Sequence, residues 1–239
     1  MKALILAGGS GTRLRPLTQT GAKQLLPVGN KPIIHHVLED IRSSGITDVG
    51  VIVGSETAVG IQRDLQDGSR WDLQTTYIYQ EKPLGLAHCV ILAEEFMQRE
   101  SFVMYLGDNL IKGGIVDFAT VFQKNQPNAL TLLREVQNPT EFGVAEFHED
   151  GRLKRLVEKP SSPPSNRALT GIYFFDHHIF EAVGAIQPSH RGELEITDAI
   201  QWLLDPNFKV EYEKVPGWWK DAGKPEDILE ANVLVLQGL

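Results

Sequence analysis

A mixed α/β fold, with a mostly parallel central sheet flanked by helices, is predicted for this 239-residue chain by three observations. Short, continuously apolar, β-rich runs alternate with helical patterns through the first half. Further strand-like runs, separated only by loops, occupy the second. A balance of 42% hydrophobic and 23% charged residues is that of a globular protein with a core to bury.

Residues 3–7 open the chain as a strand, ended by Gly8 and Gly9. Residues 32–44 read as a helix, with Pro32 suited to its first turn and Gly45 to its end. Strands at 49–53, 75–79 and 102–106 then alternate with helices at about 56–66 and 86–98. Continuously apolar strands separated by helices belong to a parallel sheet covered on both faces. Ligands of such sheets bind beyond the carboxyl ends of the strands. In the second half, 129–135, 142–147, 153–157 and 168–175 read as strands, 193–204 as a helix, 209–213 as a strand and 225–236 as a helix. Ser161-Ser-Pro-Pro-Ser165 reads as an exposed loop rather than a linker. The expected organisation is one Rossmann-like domain over 1–239, with a nucleotide-binding half at about 1–125 and a half at about 126–239 that supplies a pocket wall.

Charge and cysteine content exclude several classes. The 23 basic and 31 acidic residues leave a net charge of -8, which argues against broad nucleic-acid or anionic-membrane binding. Any phosphate must be held by a local site. A single cysteine, Cys89, excludes an intramolecular disulfide and a cysteine-rich zinc site. The apolar stretch 3–7 is too short for a signal-peptide core, and no apolar run approaches the ~20 residues of a membrane span. The expected location is the cytoplasm.

Leu6-Ala-Gly-Gly-Ser-Gly-Thr-Arg-Leu-Arg-Pro16 comes directly after the first strand. Gly8, Gly9 and Gly11 allow close backbone approach, with amides able to face phosphate oxygens, and Arg13 can offer a bidentate cation to an oxyanion. A dinucleotide fingerprint would need a further glycine, and a phosphate-binding P-loop would need Gly-Lys-Ser/Thr; neither is complete. A tight strand-to-loop turn is the third reading.

The residues beyond the glycines are more specific. Gly9-Ser-Gly-Thr-Arg-Leu-Arg-Pro16, Lys23-Gln-Leu-Leu-Pro27 and Lys31-Pro32 together resemble the signature of sugar-phosphate nucleotidylyltransferases. The Lys23-Gln24 spelling is most similar to the thymidylyl-transferring branch. Gln80, Gly85-Leu-Ala87, Leu106-Gly-Asp-Asn109, Phe142-Gly143, Glu158-Lys-Pro160, Thr170-Gly171, Glu193-Leu-Glu-Ile-Thr-Asp198 and Trp218-Trp-Lys-Asp221 extend the resemblance along the chain. The closing segments, including Leu229-Glu-Ala-Asn232, are similar to the longer branch of the family, whose members carry a C-terminal β-helix.

The resemblance implies a single nucleotidyltransferase domain that joins dTTP to glucose 1-phosphate, giving dTDP-glucose and pyrophosphate with Mg²⁺ as cofactor. It implies that Arg13 and Lys23 are catalytic. Leu6, Gly8, Gly9, Gly11, Thr12, Arg13, Gln24, Gln80, Gly85 and Asp108 would bind nucleotide. Phe142, Gly143, Glu158, Lys159, Thr170, Gly171, Glu195, Thr197 and Trp219 would bind the sugar phosphate. Asp108 and Asp221 would hold the metal, which suits an ion that takes one or two carboxylates plus substrate phosphates. Ala222 stands where the family usually has threonine, a departure that removes a hydroxyl beside Asp221. Relatives form homo-oligomers, and the same is expected here. UTP, another hexose 1-phosphate, or a non-catalytic nucleotide-sugar-binding module are the alternatives. The four charged groups Arg13, Lys23, Asp108 and Asp221 favour catalysis. The adjacent pairs His35-His36 and His177-His178 are poor chelators. Trp71, Trp202 and Trp218 read as packing residues, and Cys89 as a near-core thiol.

Overall fold

A computed structural model describes residues 1–239 except 10, 20, 205–207 and 239, so Ser10 of the glycine-rich segment lies outside the described residues. In chain order the strands are β1 (Lys2–Leu6), β2 (Pro27–Val28), β3 (Lys31–Pro32), β4 (Asp48–Val53), β5 (Gln74–Tyr79), β6 (Phe102–Leu106), β7 (Asn109–Ile111), β8 (Ala129–Glu135), β9 (Gly143–Phe147), β10 (Leu153–Glu158), β11 (Arg167–Phe175), β12 (Val210–Lys214) and β13 (Trp219–Asp221). The helices are α1 (Ile33–Ser43), α2 (Ala58–Leu65), α3 (Leu86–Leu92), α4 (Glu94–Met97), α5 (Val116–Asn125), α6 (Ile179–Ala185), α7 (Ile196–Leu203) and α8 (Pro225–Leu236). This is the expected α/β class, with parallel central strands flanked by helices. No helix among the described residues is long and apolar enough to cross a membrane.

Two compact units are present, each assembled from more than one stretch of chain. The first comprises Met1–Pro83, Met104–Asp117 and Pro216–Leu239; the second comprises Leu84–Val103 and Phe118–Val215.

In the first unit β1 pairs in parallel with β4, Ala3 opposite Val49 and Leu6 opposite Ile52, and β4 pairs in parallel with β5. β6 lies on the other side of β1. Every residue of β1 is buried, as a central strand covered on both faces requires. α1 turns Ile33, Ile34, Val37, Leu38 and Ile41 inward at helical spacing. It ends at Gly45, whose φ of 80° and N–H bond to the Arg42 carbonyl make the left-handed stop expected of that glycine. Pro32 sits one position earlier than its expected place, as the N-cap. β7 and β13 form an antiparallel ribbon that sets Asp221 opposite Asn109. α8 packs Ile228 and Ala231 against Leu14, Val28, Ile33, Leu110 and Ala222.

In the second unit β8 lies between β11, antiparallel to it, and β12, parallel to it; β11 also meets β9, which pairs with β10. The register of β11 shifts between Leu169 and Tyr173, where Gly171 has a φ of 75°. That is a bulge of the kind that re-aims a strand.

Several elements differ from expectation. The helix expected over 86–98 is two, α3 and α4, meeting at Ala93. The helix expected from 193 starts at Ile196, because Glu195 is extended. α5, α6, β7 and β13 have no counterpart among the elements expected from sequence. The two ribbon strands have three residues each, too few to carry a periodic pattern. Of the histidine pairs, His35 is buried against Asp64 and Trp71, whereas His177 and His178, expected to be poor chelators, lie with tilted rings 4.1 Å apart and bring ligand atoms within 4.8 Å of one another and of Asp176.

Candidate active site

The glycine-rich segment leaves the carboxyl end of β1 and is shaped by contacts only glycine permits. A Cβ on Gly54, at the end of β4, would stand 2.7 Å from the Gly8 carbonyl oxygen. Gly8 itself lies beside the Gln80 side chain, whose Oε1 would be 3.5 Å from an added Cβ. Gly11 has a φ of 62°, and its carbonyl accepts a 2.7 Å hydrogen bond from the Thr18 hydroxyl. A Cβ there would lie 3.1 Å from Cβ of Lys23, so the turn wraps closely round the lysine stem. Thr12 and Arg13 stand exposed on the next turn. Leu6 accepts the Gly107 N–H at 3.0 Å, tying the end of β1 to the segment after β6. Gln24 is buried against Gly107, and its Oε1 is a buried acceptor with no hydrogen-bond partner among the described residues.

Asp108 lies just past β6 and is buried; Lys23, 85 positions earlier, donates to its Oδ2. Burial works against the charge on Asp108, but the Lys23 ammonium and the Asn109 amide outweigh it and hold the carboxyl below its usual range. Burial likewise opposes the Lys23 ammonium, and the Asp108 carboxylate more than compensates, raising it. Asp221 comes in from β13, and the Ala222 N–H donates to the Asp108 carbonyl at 2.9 Å. Burial first, and then the charge of Asp108, push Asp221 up to about 7 against the pull of Lys23 and Arg13. Arg13 and Asp221 meet over Gly223, where an added Cβ would be 3.5 Å from Arg13 Nη2 and 3.3 Å from Asp221 Oδ1. Asp108 is buried and Asp221 half-buried, and the charge of Asp108 acts on Asp221; such a pair of carboxylates is a donor set that fits a hard divalent cation.

The first unit therefore brings together Leu6, Gly8, Gly9, Gly11, Thr12, Arg13, Lys23, Gln24, Gln80, Asp108 and Asp221. Trp219 belongs to this group too: its indole N–H donates to Asn109 at 2.7 Å. Gly223 is a member that sequence reasoning missed. The only available signal was a glycine two residues after Asp221.

The remaining predicted residues lie in the second unit. Glu158 ends β10, and the Thr197 hydroxyl donates to its Oε2. Gly143 lets them approach, since a Cβ there would be 3.1 Å from that oxygen. Lys159, with a φ of 40°, places its ammonium 3.9 Å from Glu158 Oε1, and its N–H bonds the Phe142 carbonyl. The Thr170 hydroxyl is committed to the Leu132 carbonyl at 3.1 Å, inside the sheet beside Gly171. Glu195 accepts from Ser189 at 2.8 Å, and burial raises its carboxyl. Gly85 has a φ of 106° and packs so closely on Leu194 that a Cβ would lie 2.4 Å from the Leu194 oxygen. Sequence reasoning missed Arg191, whose guanidinium stands 3.5 Å from Glu158, 3.0 Å from Glu193 and 3.3 Å from Glu195. In sequence it sits in a charged run that reads as a solvated loop.

The chain matches the model of the nucleotidyl transferase family over residues 2–238. Over 99% of its length it is 50% identical to a low-salt glycan biosynthesis nucleotidyltransferase of Haloferax volcanii and 52% identical to a glucose-1-phosphate thymidylyltransferase of Streptomyces griseus. It spans 66% of the length of each of these relatives, just under two thirds. Among solved structures it superposes, with a TM-score of 0.92 and 38% identity, on a Bacillus anthracis chain solved under the name glucose-1-phosphate thymidylyltransferase in complex with sucrose. That match covers 98% of this chain and 94% of the other. A UDP-glucose pyrophosphorylase complexed with UDP-glucose matches with a TM-score of 0.85 and 25% identity, covering 100% of this chain and 99% of the other.

Proposed function

Because the chain belongs to the nucleotidyl transferase family, we propose that it transfers a thymidylyl group from dTTP to glucose 1-phosphate, releasing dTDP-glucose and pyrophosphate. A phosphate oxygen of the sugar phosphate forms a bond to the α-phosphorus, and the bond from that phosphorus to pyrophosphate breaks on the opposite side. The attacking oxygen is already anionic and needs no general base. The obstacle is that two polyanions must meet, so catalysis rests on positioning and charge stabilisation.

The observation that carries this reading is the grouping of Lys23, Arg13, Asp108 and Asp221 beyond the carboxyl end of β1. Arg13 neutralises the β- and γ-phosphates as they leave. Lys23 exchanges its Asp108 partner for the α-phosphate and the incoming phosphate. Opposite charges about 4 Å apart attract by roughly 4 kcal/mol at an effective dielectric near 20, so a few such terms offset the repulsion. Asp108 and Asp221 would hold Mg²⁺, which would supply positive charge to stabilise the phosphates. Gln80, beside the glycine segment, offers donors and an acceptor to a pyrimidine edge. Glu158, held by Thr197, accepts from sugar hydroxyls, and Lys159 and Arg191 are the cations beside it for the sugar phosphate.

Pyrophosphate release tests the proposal. Release is expected when dTTP, glucose 1-phosphate and Mg²⁺ are together, with UTP slower by no more than about 10–200-fold, since one methyl is worth ~1–3 kcal/mol. Preference for a purine triphosphate defeats the substrate assignment. Tight dTTP binding without turnover identifies a binding module instead.

A further inference from the structure

The Asp108 carboxylate is held at both oxygens. Oδ2 accepts from Lys23, and Oδ1 accepts a 3.1 Å hydrogen bond from Nδ2 of Asn109. Asn109 is only 1% exposed, so its amide has no water to turn to. At its other end, Oδ1 accepts the Trp219 indole N–H at 2.7 Å. An indole N–H only donates, and an ionised carboxylate only accepts. The amide between them therefore has one workable orientation. Flipping it would set N–H against N–H and oxygen against carboxylate, and both hydrogen bonds would be lost. The β7–β13 ribbon makes the arrangement, because it brings Trp219 opposite Ile111 and Asp221 opposite Asn109. One three-residue strand thus carries the second carboxylate and reaches back to orient the first.

We propose that Trp219 and Asn109 are positioning residues for divalent-cation binding: the indole fixes the flip of the Asn109 amide, and the amide fixes the Asp108 carboxylate. The inference rests on the metal role given to Asp108 in the proposed reaction. It matters most when Lys23 turns to phosphate. Asn109 then still holds Oδ1 of Asp108.

Titration of the full chain with Mn²⁺, without substrates, tests this through the free-ion electron paramagnetic resonance signal. Trp219→Phe keeps a ring and removes only the donor, and Asn109→Leu removes both amide contacts at similar volume. Each is expected to weaken Mn²⁺ binding about 10-fold or more, the usual size for an outer partner of a metal ligand. Asp108→Asn should abolish it, while Trp219→Phe keeps the far-ultraviolet circular dichroism of the parent protein. If Asn109→Leu does not fold, Trp219→Phe decides alone. Unchanged Mn²⁺ affinity in Trp219→Phe, with binding lost in Asp108→Asn, overturns the positioning role and leaves the metal role of Asp108 standing. Parent-like Mn²⁺ binding by Asp108→Asn overturns both.

Discussion

Lys23 shows what a single side chain gains from its setting. Its stem is wrapped by Gly9 and Gly11, and its ammonium is committed to a buried aspartate. Removing either partner strands the other as an unpaired buried charge and deletes a contact to the reacting phosphates. Lys23→Ala and Asp108→Asn are each expected to cut turnover by about 10²-fold or more, the size seen when one transition-state donor is lost. Steady-state pyrophosphate release measures this, and near-normal turnover in either variant refutes its assignment. At this scale the motif spelling made Lys23, Asp108 and Asp221 legible. Their pairing was not, because it joins positions 85 or more apart. Arg191 was not legible at all: a guanidinium in a charged run has no spacing that separates a solvated side chain from one held among three carboxylates.

Among the elements, α1 shows a half-buried acid that its amphipathic pattern conceals. Asp40 points inward from its third turn and accepts from the Tyr105 hydroxyl at 3.0 Å. Burial pushes its carboxyl up to about 7. The folded chain therefore holds a proton that the unfolded chain releases near 4. The stabilisation is complete below that lower value and is lost as pH rises through about 7. Asp40→Asn, which cannot ionise, is expected to flatten the dependence of the unfolding midpoint on pH between about 4 and 7. Thermal unfolding across that range tests it; a slope equal to that of the unaltered chain rules out Asp40 as the titrating group. The long strands and α1 were legible because burial on both faces or on one helical face leaves a readable pattern. The β7–β13 ribbon was not, since three-residue strands are specified by their partner rather than by their own residues.

For the molecule as a whole, the decisive feature is that the segment 216–239 returns to the unit that holds the N-terminus. It delivers Asp221, and α8 then anchors it. Asn232 accepts the Gly29 N–H at 2.8 Å, and Ile228 and Ala231 close over Leu14, Val28 and Ile33. Asn232→Ala should leave the Gly29 N–H without that partner and lower stability by about 1–3 kcal/mol in denaturant unfolding. An unchanged midpoint would mean that α8 is not fastened there.

Residue order by itself determined the α/β class, the parallel strands at the start and the motif residues, because these depend on local periodicity and on short spacings. Only the tertiary structure decided that Lys23 faces Asp108, that Asp221 comes under their charges, that the Trp219 indole donates to Asn109, and that the chain divides into two units of interrupted sequence. The reason is physical: ion pairs, amide orientations and glycine clearances are set by distances in space, and chain separation carries no record of them.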